Sequence, residues 1–475
     1  MIEAWLYTHL LILVYAAPTI AAVYHILLFK RDAQSALGWI MVCVFVPYVG
    51  AVVYFLFGIN RVGVRARKLD RNLFSVAIES GSREEQRAAV SSPNDDRGLR
   101  NIGQRISGHL LTSANKVVPF YSGSRAYSAM LASVDNAQCS VFLSTYIFKD
   151  DAAGVAFIDA LERAVNRGVD VKVLLDGIGE YYSFHKASVL LRARGVPVAR
   201  FLPPRIFPPS LLVNLRNHRK LLIIDNNFAY AGGMNIGDNH TELASRRRSV
   251  TDMHFSFDGA IVDDLVQLFY YDWNFTTGDS CAPLRRKVVT SQGDMSCRLI
   301  PDGPSEELDA LALTIQTVIS AADQSVYIMT PYFLPSRELI AALESAALRG
   351  VRVTVVLPQK NNMPIVHWAN RNILLELLQA GVNIFYQPAP FCHSKLLCID
   401  KSYALIGSAN LDPRSLRLNF ELGVEVFSES FNRELRNHFS QIVAVSQELP
   451  LSALARRGVA TRLRDSIAAL FAPYL

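Results

Sequence analysis

Two short stretches of the chain share one arrangement of reactive residues. In NHRKLLIIDN, His218, Lys220 and Asp225 flank four apolar residues, and in CHSKLLCIDK the same intervals hold His393, Lys395 and Asp400. Downstream, at matching distances, come Gly232, Gly233 and Asn235 in the first copy and Gly407, Ser408 and Asn410 in the second. Each copy reads H-x-K-x4-D-x6-G-[GS]-x-N. One copy alone reads as a buried strand with polar ends. Two copies in one chain point to a shared catalytic site.

Residues two apart on a strand project to the same side, so each His-Lys pair leaves one face. If the two copies pack about a pseudo-twofold axis, four potentially cationic groups surround one small volume. Such a volume favours an anion, and a phosphodiester fits. Two imidazoles suit double displacement at phosphorus, where a neutral ring attacks and a protonated ring delivers hydrogen to the leaving oxygen. An unperturbed imidazole titrates at about 6.5, so a modest difference in surroundings holds the two in different states. The lysines with Asn235 and Asn410 are expected to stabilise charge on the equatorial oxygens, with Ser408 binding phosphate or orienting a neighbour, and no metal or cofactor is required. Each ring also needs an acceptor for its far nitrogen. Asp252 in VTDMHFSF and Glu421 in LNFELGVEVF, each beside an apolar strand, are the candidates. Asp225 and Asp400, at the far ends of the motif strands, either share that role or hold the two halves together.

The elements that must carry these residues repeat as well. ALERAVNRGVDVKVLLD is answered by ALESAALRGVRVTVVLP, LLRARGVPVARF by LLQAGVNIFYQ, and SVFLSTYIF by SVYIMTPYF. The first pair compares a helix ending at Gly168 or Gly350 with the strand that follows it. Apolar β-branched runs alternating with amphipathic stretches predict an α/β fold. The expected architecture is two α-β-α repeats related by pseudo-twofold symmetry, residues 118–290 and 291–450, each carrying one motif.

No Asp, Glu, Lys or Arg occurs from Ala4 to Phe29, nor from Ser35 to Asn60. Each stretch exceeds the roughly 20 apolar residues that span a bilayer, which predicts a transmembrane hairpin within residues 1–62 and a multi-pass membrane protein. Arg61, Arg65, Arg67 and Lys68 follow the second span and outnumber Lys30 and Arg31 in the connecting loop, placing the catalytic part on the cytoplasmic side. Residues 63–117, with ESGSREEQ and SSPNDDRG, read as a linker. In residues 451–475, Arg456, Arg457, Arg462 and Arg464 alternate with apolar residues. This basic amphipathic tail either rests on anionic lipid or packs on the second repeat. A net charge of +6 over 475 residues is modest, which argues against a nucleic-acid groove. The six cysteines show no Cys-x-x-Cys pair, which fits a reducing compartment, and Lys395 between Cys392, His393 and Cys398 would repel a metal ion.

The duplicated motif resembles the HKD motifs of the phospholipase D superfamily. The wider stretches LRNHRKLLIIDNNFAYAGGMNIGD, TPYFLPS and WIMVCVFVPYVGAVVYFLFGINR resemble its membrane-anchored bacterial cardiolipin synthases, over nearly the whole chain outside the linker. The resemblance implies a bacterial inner-membrane enzyme that condenses two phosphatidylglycerol molecules into cardiolipin and glycerol through a phosphatidyl-histidine intermediate. Superfamily usage implies His218 as nucleophile and His393 as general acid and then base, whereas the pseudo-symmetry of the residues by itself allows the reverse. Phospholipase D-type hydrolysis, and phosphatidylethanolamine as the second substrate, are the alternatives. The chain departs from the family pattern in SVTDMH, where members commonly carry Trp-Arg-Asp, and in STYIF, where a Glu commonly precedes the strand; both departures bear on substrate recognition.

Overall fold

The computed structural model describes residues 2–30, 33–58, 97–204, 215–242, 248–282, 293–303 and 309–472. Two compact units emerge, one of residues 1–68 with 204–213 and the other of residues 69–203 with 214–475. In the first, helices Ile2–Phe29 and Ala33–Phe45 are followed by a short helix, Val49–Val53, and a wide helical turn, Tyr54–Gly58. Ala22, Ile26, Cys43, Ala51 and Tyr54 form its packed interior. The Tyr54 hydroxyl lies 2.8 Å from Nδ1 of His25, and its ring meets Trp39 edge-on. Among the described residues no helix is long and apolar enough to cross a membrane. Arg31, Arg61, Arg65, Arg67 and Lys68, on which the expected sidedness rests, lie outside the described residues, as does the stretch 59–96.

The second unit is built on one mixed sheet of fifteen strands. Its first repeat contributes β1 (Thr112–Phe120), β2 (Ser140–Thr145), β3 (Asp170–Asp176), β4 (Val198–Phe201), β5 (Leu221–Ile224) and β6 (Phe228–Gly232), followed by β7 (Val250–Thr251), outside the sheet, and β8 (His254–Asp258). The second repeat contributes β9 (Met295–Asp302), β10 (Ser325–Met329), β11 (Arg352–Pro358) and β12 (Asn383–Gln387). There follow β13 (Phe391–Cys392), which pairs with β7, then β14 (Leu396–Ile399), β15 (Tyr403–Gly407), β16 (Glu421–Phe427) and the edge strand β17 (Gln447–Glu448). From the central β1–β9 pair outward, the first repeat runs β1-β8-β6-β5-β2-β3-β4 and the second β9-β16-β15-β14-β10-β11-β12. The two orders match strand for strand, so the sequence repeat is a repeat of the fold.

Local sequence explains the joints. Parallel strands need a crossover, supplied between β2 and β3 by helix Ala152–Asn166 and between β10 and β11 by helix Arg337–Leu348. Each helix is stopped by a glycine in the left-handed region, Gly168 at φ 82° and Gly350 at φ 89°, where a side chain would be strained. Val141, Leu143, Val171 and Leu161 bury one face of the first half, and Val326, Ile328, Val353 and Leu343 do so in the second. Helix Arg97–Ser107 packs Leu99, Ile102 and Ile106 into the second core, and β1 begins at Thr112. The end of the stretch read as linker therefore belongs to the folded body. The C-terminal residues are no free tail either, because helices Leu451–Ala455 and Val459–Leu470 pack on helices Pro364–Ala369 and Arg371–Gln379.

Asp225 and Asp400, expected among the catalytic residues, sit away from both histidines. Each lies just beyond its motif strand at φ 52° and 49° and accepts main-chain N–H groups. Asp225 takes those of Gln138, Cys139 and Ser140 at 2.6–3.2 Å, and Asp400 takes those of Asp323, Gln324 and Ser325 at 2.7–2.9 Å. Their carboxylates tie the turn after the motif strand to the entry of β2 or β10. Removing one takes the acceptor from three main-chain amides at once, of which that of Ser140 or Ser325 is part-buried, and leaves Ala in a left-handed conformation. Asp225→Ala and Asp400→Ala should each cost about 2–4 kcal/mol in chemical denaturation, while turnover per folded molecule falls by less than about threefold. A large loss of turnover without destabilisation would return them to the catalytic set.

Candidate active site

The motif histidines meet because each motif segment pairs with the carboxylate-bearing segment of the other repeat. Asn217, just ahead of His218, bridges in parallel to Phe420, just ahead of Glu421. Likewise β13, ahead of His393, pairs with β7, ahead of Asp252. His218 N donates to Phe420 O at 2.9 Å, Phe420 N to Arg216 O at 2.8 Å, and His393 N to Thr251 O at 2.7 Å. This exchange brings Glu421 of the second repeat to His218 and Asp252 of the first to His393. Nδ1 of His218 lies 2.9 and 3.1 Å from the two Glu421 oxygens, and Nδ1 of His393 lies 2.7 Å from Asp252 Oδ2. A neutral ring must donate Nδ1–H to its carboxylate, so the lone pair on each ring is at Nε2.

Alternation along the motif segment sorts its side chains. His218 and Lys220 share one face, while Asn217 and Arg219 turn back into the body. Arg219 is buried: Nη1 reaches Asp272 at 2.5 Å, Nε donates to Glu421 O at 2.9 Å, and Nη2 to Asp302 O at 2.9 Å. Asn217 donates through Nδ2 to Asp272 at 3.1 Å and through its main chain to Asp176 at 2.9 Å. Lys220 Nζ donates to His218 O at 2.6 Å, and Lys395 Nζ to His393 O at 2.5 Å. Tyr146 sets its ring 5.1 Å from that of His218, and Tyr332 sets its ring 6.5 Å from that of His393.

Burial governs the charges. It pushes His218 down to about 4 with Glu421 only partly opposing, and burial with the nearby Lys395 pushes His393 down to about 4 as well. Both rings are thus neutral at pH 7. Burial also pulls Lys220 down to about 7 and lowers Lys395. Burial raises Glu421 and Asp252, but the neighbouring histidines and lysines outweigh it and hold both below the usual carboxylate range.

The two carboxylates differ in their surroundings. Glu421 accepts from Ser408 Oγ in a short hydrogen bond and from Asn419 Nδ2 at 3.2 Å, and Ser408 Oγ in turn accepts from Leu422 N at 3.0 Å. In the first repeat the matching position is Gly233, where a Cβ would fall 2.6 Å from Asp252 Oδ1. Asp252 accepts from Met253 N at 2.7 Å instead. Ser408 therefore orients Glu421. Asn235 and Asn410 brace loops: Asn235 Oδ1 accepts from Ile147 N at 3.1 Å, next to Tyr146, and Asn410 bonds Asp412.

Several residues of the site escaped sequence reasoning. His240 is buried with its ring 6.4 Å from that of His393, and its Nδ1 has no hydrogen-bond partner among the described residues. The matching position in the second motif is Ser415, so comparing the copies does not single His240 out. Arg219 is hidden in the same way, since Ser394 stands at its place in the second copy.

A family model described as cardiolipin synthase, PLD-like domain, matches residues 130–273 and 315–443, one segment in each repeat. Another, described as phospholipase D-nuclease N-terminal, matches residues 17–58. Cardiolipin synthase 2 of Staphylococcus epidermidis is 30% identical over 464 residues, covering 94% of this chain and 93% of that protein. A cardiolipin synthase of Oceanobacillus iheyensis is 31% identical over 458 residues, covering 95% of each chain. Among solved structures, phosphatidylserine synthase of Haemophilus influenzae shares the fold with a TM-score of 0.63 at 15% identity, over 79% of this chain and 100% of that one. With both repeats matched and relatives aligned almost end to end, the chain belongs to the bacterial cardiolipin synthases of the phospholipase D superfamily.

Proposed function

We propose that this chain makes cardiolipin by transferring a phosphatidyl group from one phosphatidylglycerol to the glycerol hydroxyl of a second, with release of glycerol. The observation that carries the reading is the crossed pairing of two buried imidazoles with Glu421 and Asp252, which commits each Nδ1 to a carboxylate and puts each lone pair at Nε2, that of His393 lying 3.3 Å from Lys395 Nζ. In the first step His218 Nε2 forms a bond to phosphorus while the bond from phosphorus to the headgroup glycerol breaks, and that oxygen takes the Nε2 proton of protonated His393. In the second, neutral His393 takes the proton of the incoming glycerol hydroxyl as its oxygen bonds to phosphorus and the bond to His218 breaks. Protons and charges end where they began. Lys220 and Lys395 offset the charge on the phosphoryl oxygens.

The unequal carboxylates support this division of roles. Glu421 spreads its charge over Ser408 and Asn419 as well as His218, which favours a neutral ring and a nucleophile. Asp252 holds His393 at 2.7 Å with fewer neutral donors, which favours an imidazolium once an anionic phosphodiester offsets the burial. The uncharged stretches Ala4–Phe29 and Ser35–Asn60 support an N-terminal membrane hairpin, and the cations after the second stretch support a cytoplasmic catalytic unit on a bacterial inner membrane.

In mixed micelles of phosphatidylglycerol the full chain should form cardiolipin and glycerol in equal amounts, and phosphatidic acid as the main product would make it a hydrolase. Roles separate with phosphatidyl-p-nitrophenol, whose leaving group needs no acid. His393→Ala should release a burst of nitrophenolate and hold lipid covalently on His218, while its transfer from phosphatidylglycerol falls by about 10²–10⁴. Lipid found instead on His393 in a His218→Ala variant would reverse the assignment. A third test follows from the charges. His218 and His393 near 4 and Lys220 near 7 are all raised by an adjacent anion, so binding at pH 7 takes protons up. Affinity for the soluble diester glycerophosphoglycerol should strengthen as pH falls from about 8 to about 6, by up to about tenfold per unit for one linked proton. Calorimetry in buffers of different ionisation enthalpy reads the sign directly: uptake is expected, smaller in Lys220→Met, and proton release would contradict the site's electrostatics.

A further inference from the structure

The C-terminal helix Val459–Leu470 is packed with its charge inward and its apolar side outward. Asp465 is fully buried and takes Arg457 at 2.6 Å, Arg464 at 2.7 Å and Arg371 at 3.6 Å. Arg464 also lies over the Trp368 ring at 4.7 Å. On the opposite side Val459, Leu463, Ile467 and Leu470 follow one another at steps of three and four, with Phe471 beside them, and all five are exposed, Val459 by 81% and Leu470 by 75%. A helix on a globular body ordinarily turns its apolar stripe inward. A continuous exposed stripe of this kind marks a contact surface.

Its place in the fold identifies the contact. Ala468 and Ala472 pack with Leu334, Val366 and Tyr332, and the Tyr332 ring stands 6.5 Å from that of His393. The helix is therefore one layer from a site histidine. Tyr182, exposed and 6.1 Å from Tyr146, adds an exposed aromatic ring near the His218 side of the site. The outward face carries no acidic residue, and the exposed Arg456 and Arg462 border it. Apolar side chains flanked by arginines complement an anionic headgroup layer over acyl chains.

We propose that helix Val459–Leu470 rests on the surface of an anionic bilayer, with Leu463, Ile467, Leu470 and Phe471 below the headgroups and Arg456 and Arg462 against them. The contact sets the mouth of the site on the layer that holds its substrate. This inference rests on the phosphatidyl-transfer reading only in taking lipid as the substrate.

The test uses the full chain with Cys139 and Cys281 changed to serine and Leu463→Cys labelled with an environment-sensitive fluorophore. Reconstituted in vesicles of phosphatidylglycerol and phosphatidylcholine, the label should lose about half its emission to lipids brominated near the headgroup end of the acyl chain. A label at Ser345→Cys should lose none. An unquenched label at position 463 overturns the proposal. In a second arm, Leu463→Asp with Leu470→Asp should raise the half-saturating mole fraction of bilayer phosphatidylglycerol about fivefold, yet leave turnover of a short-chain phosphatidylglycerol below its micellar concentration within about twofold. Equal loss on both lipids, or a change of oligomeric state on sedimentation, assigns the face to folding or to a second copy and overturns the proposal. If the transfer reading itself fails, the unsubstituted chain makes no cardiolipin from either lipid, and the quenching result still decides the docking.

Discussion

Main-chain pairing ahead of the two histidines governs what the repeats can do together. Neither repeat holds a complete site: the histidine of each finds its carboxylate in the other, and the short parallel contacts at Asn217–Phe420 and at β13–β7 set the register of that exchange. A slip of one residue would turn His218 and Lys220 into the body and Asn217 and Arg219 toward the substrate. Arg219 guards against it. Its guanidinium joins Asp272, the carbonyl of Glu421 and the carbonyl of Asp302, so the cost of burying its charge is offset where the two halves join.

The same enclosure that fixes the geometry sets the chemistry. Buried imidazoles are poor cations, and burial brings both His218 and His393 down to about 4. Lys220, brought to about 7, is poised in the same sense. In the proposed mechanism the charge of the substrate favours protonation of the buried rings and of Lys220, so the proton for the leaving group is gained with the ligand that needs it.

Duplication made the motifs legible and also misled. Spacing repeated in both copies singled out His218, Lys220, His393 and Lys395, but the same repetition swept in Asp225 and Asp400, whose carboxylates serve the turn after the motif strand. A repeat preserves whatever both halves need, whether catalytic or structural. Asp252 and Glu421 were legible as carboxylates beside apolar strands. Their exchange between repeats was not, because chain order places each carboxylate after the histidine of its own half, and it is the pairing of Asn217 with Phe420 and of Val250–Thr251 with Phe391–Cys392 that reverses that order. The end of the stretch read as linker misled in a different way. Helix Arg97–Ser107 is mostly polar in sequence, yet the three apolar residues it turns inward suffice to join it to the second core.

What distinguishes the halves lies where the repeat is broken. Gly233 faces Asp252 where Ser408 donates to Glu421, Arg219 stands where Ser394 does, and His240 lies beside His393 where the other copy has Ser415. Two identical halves would place both histidines in identical surroundings, leaving only the bound substrate to tell them apart. Each departure changes the donors around one carboxylate or the company of one ring while leaving the strand order intact. The fold can therefore stay symmetric to bring the halves together, while single side chains make the two histidines unlike.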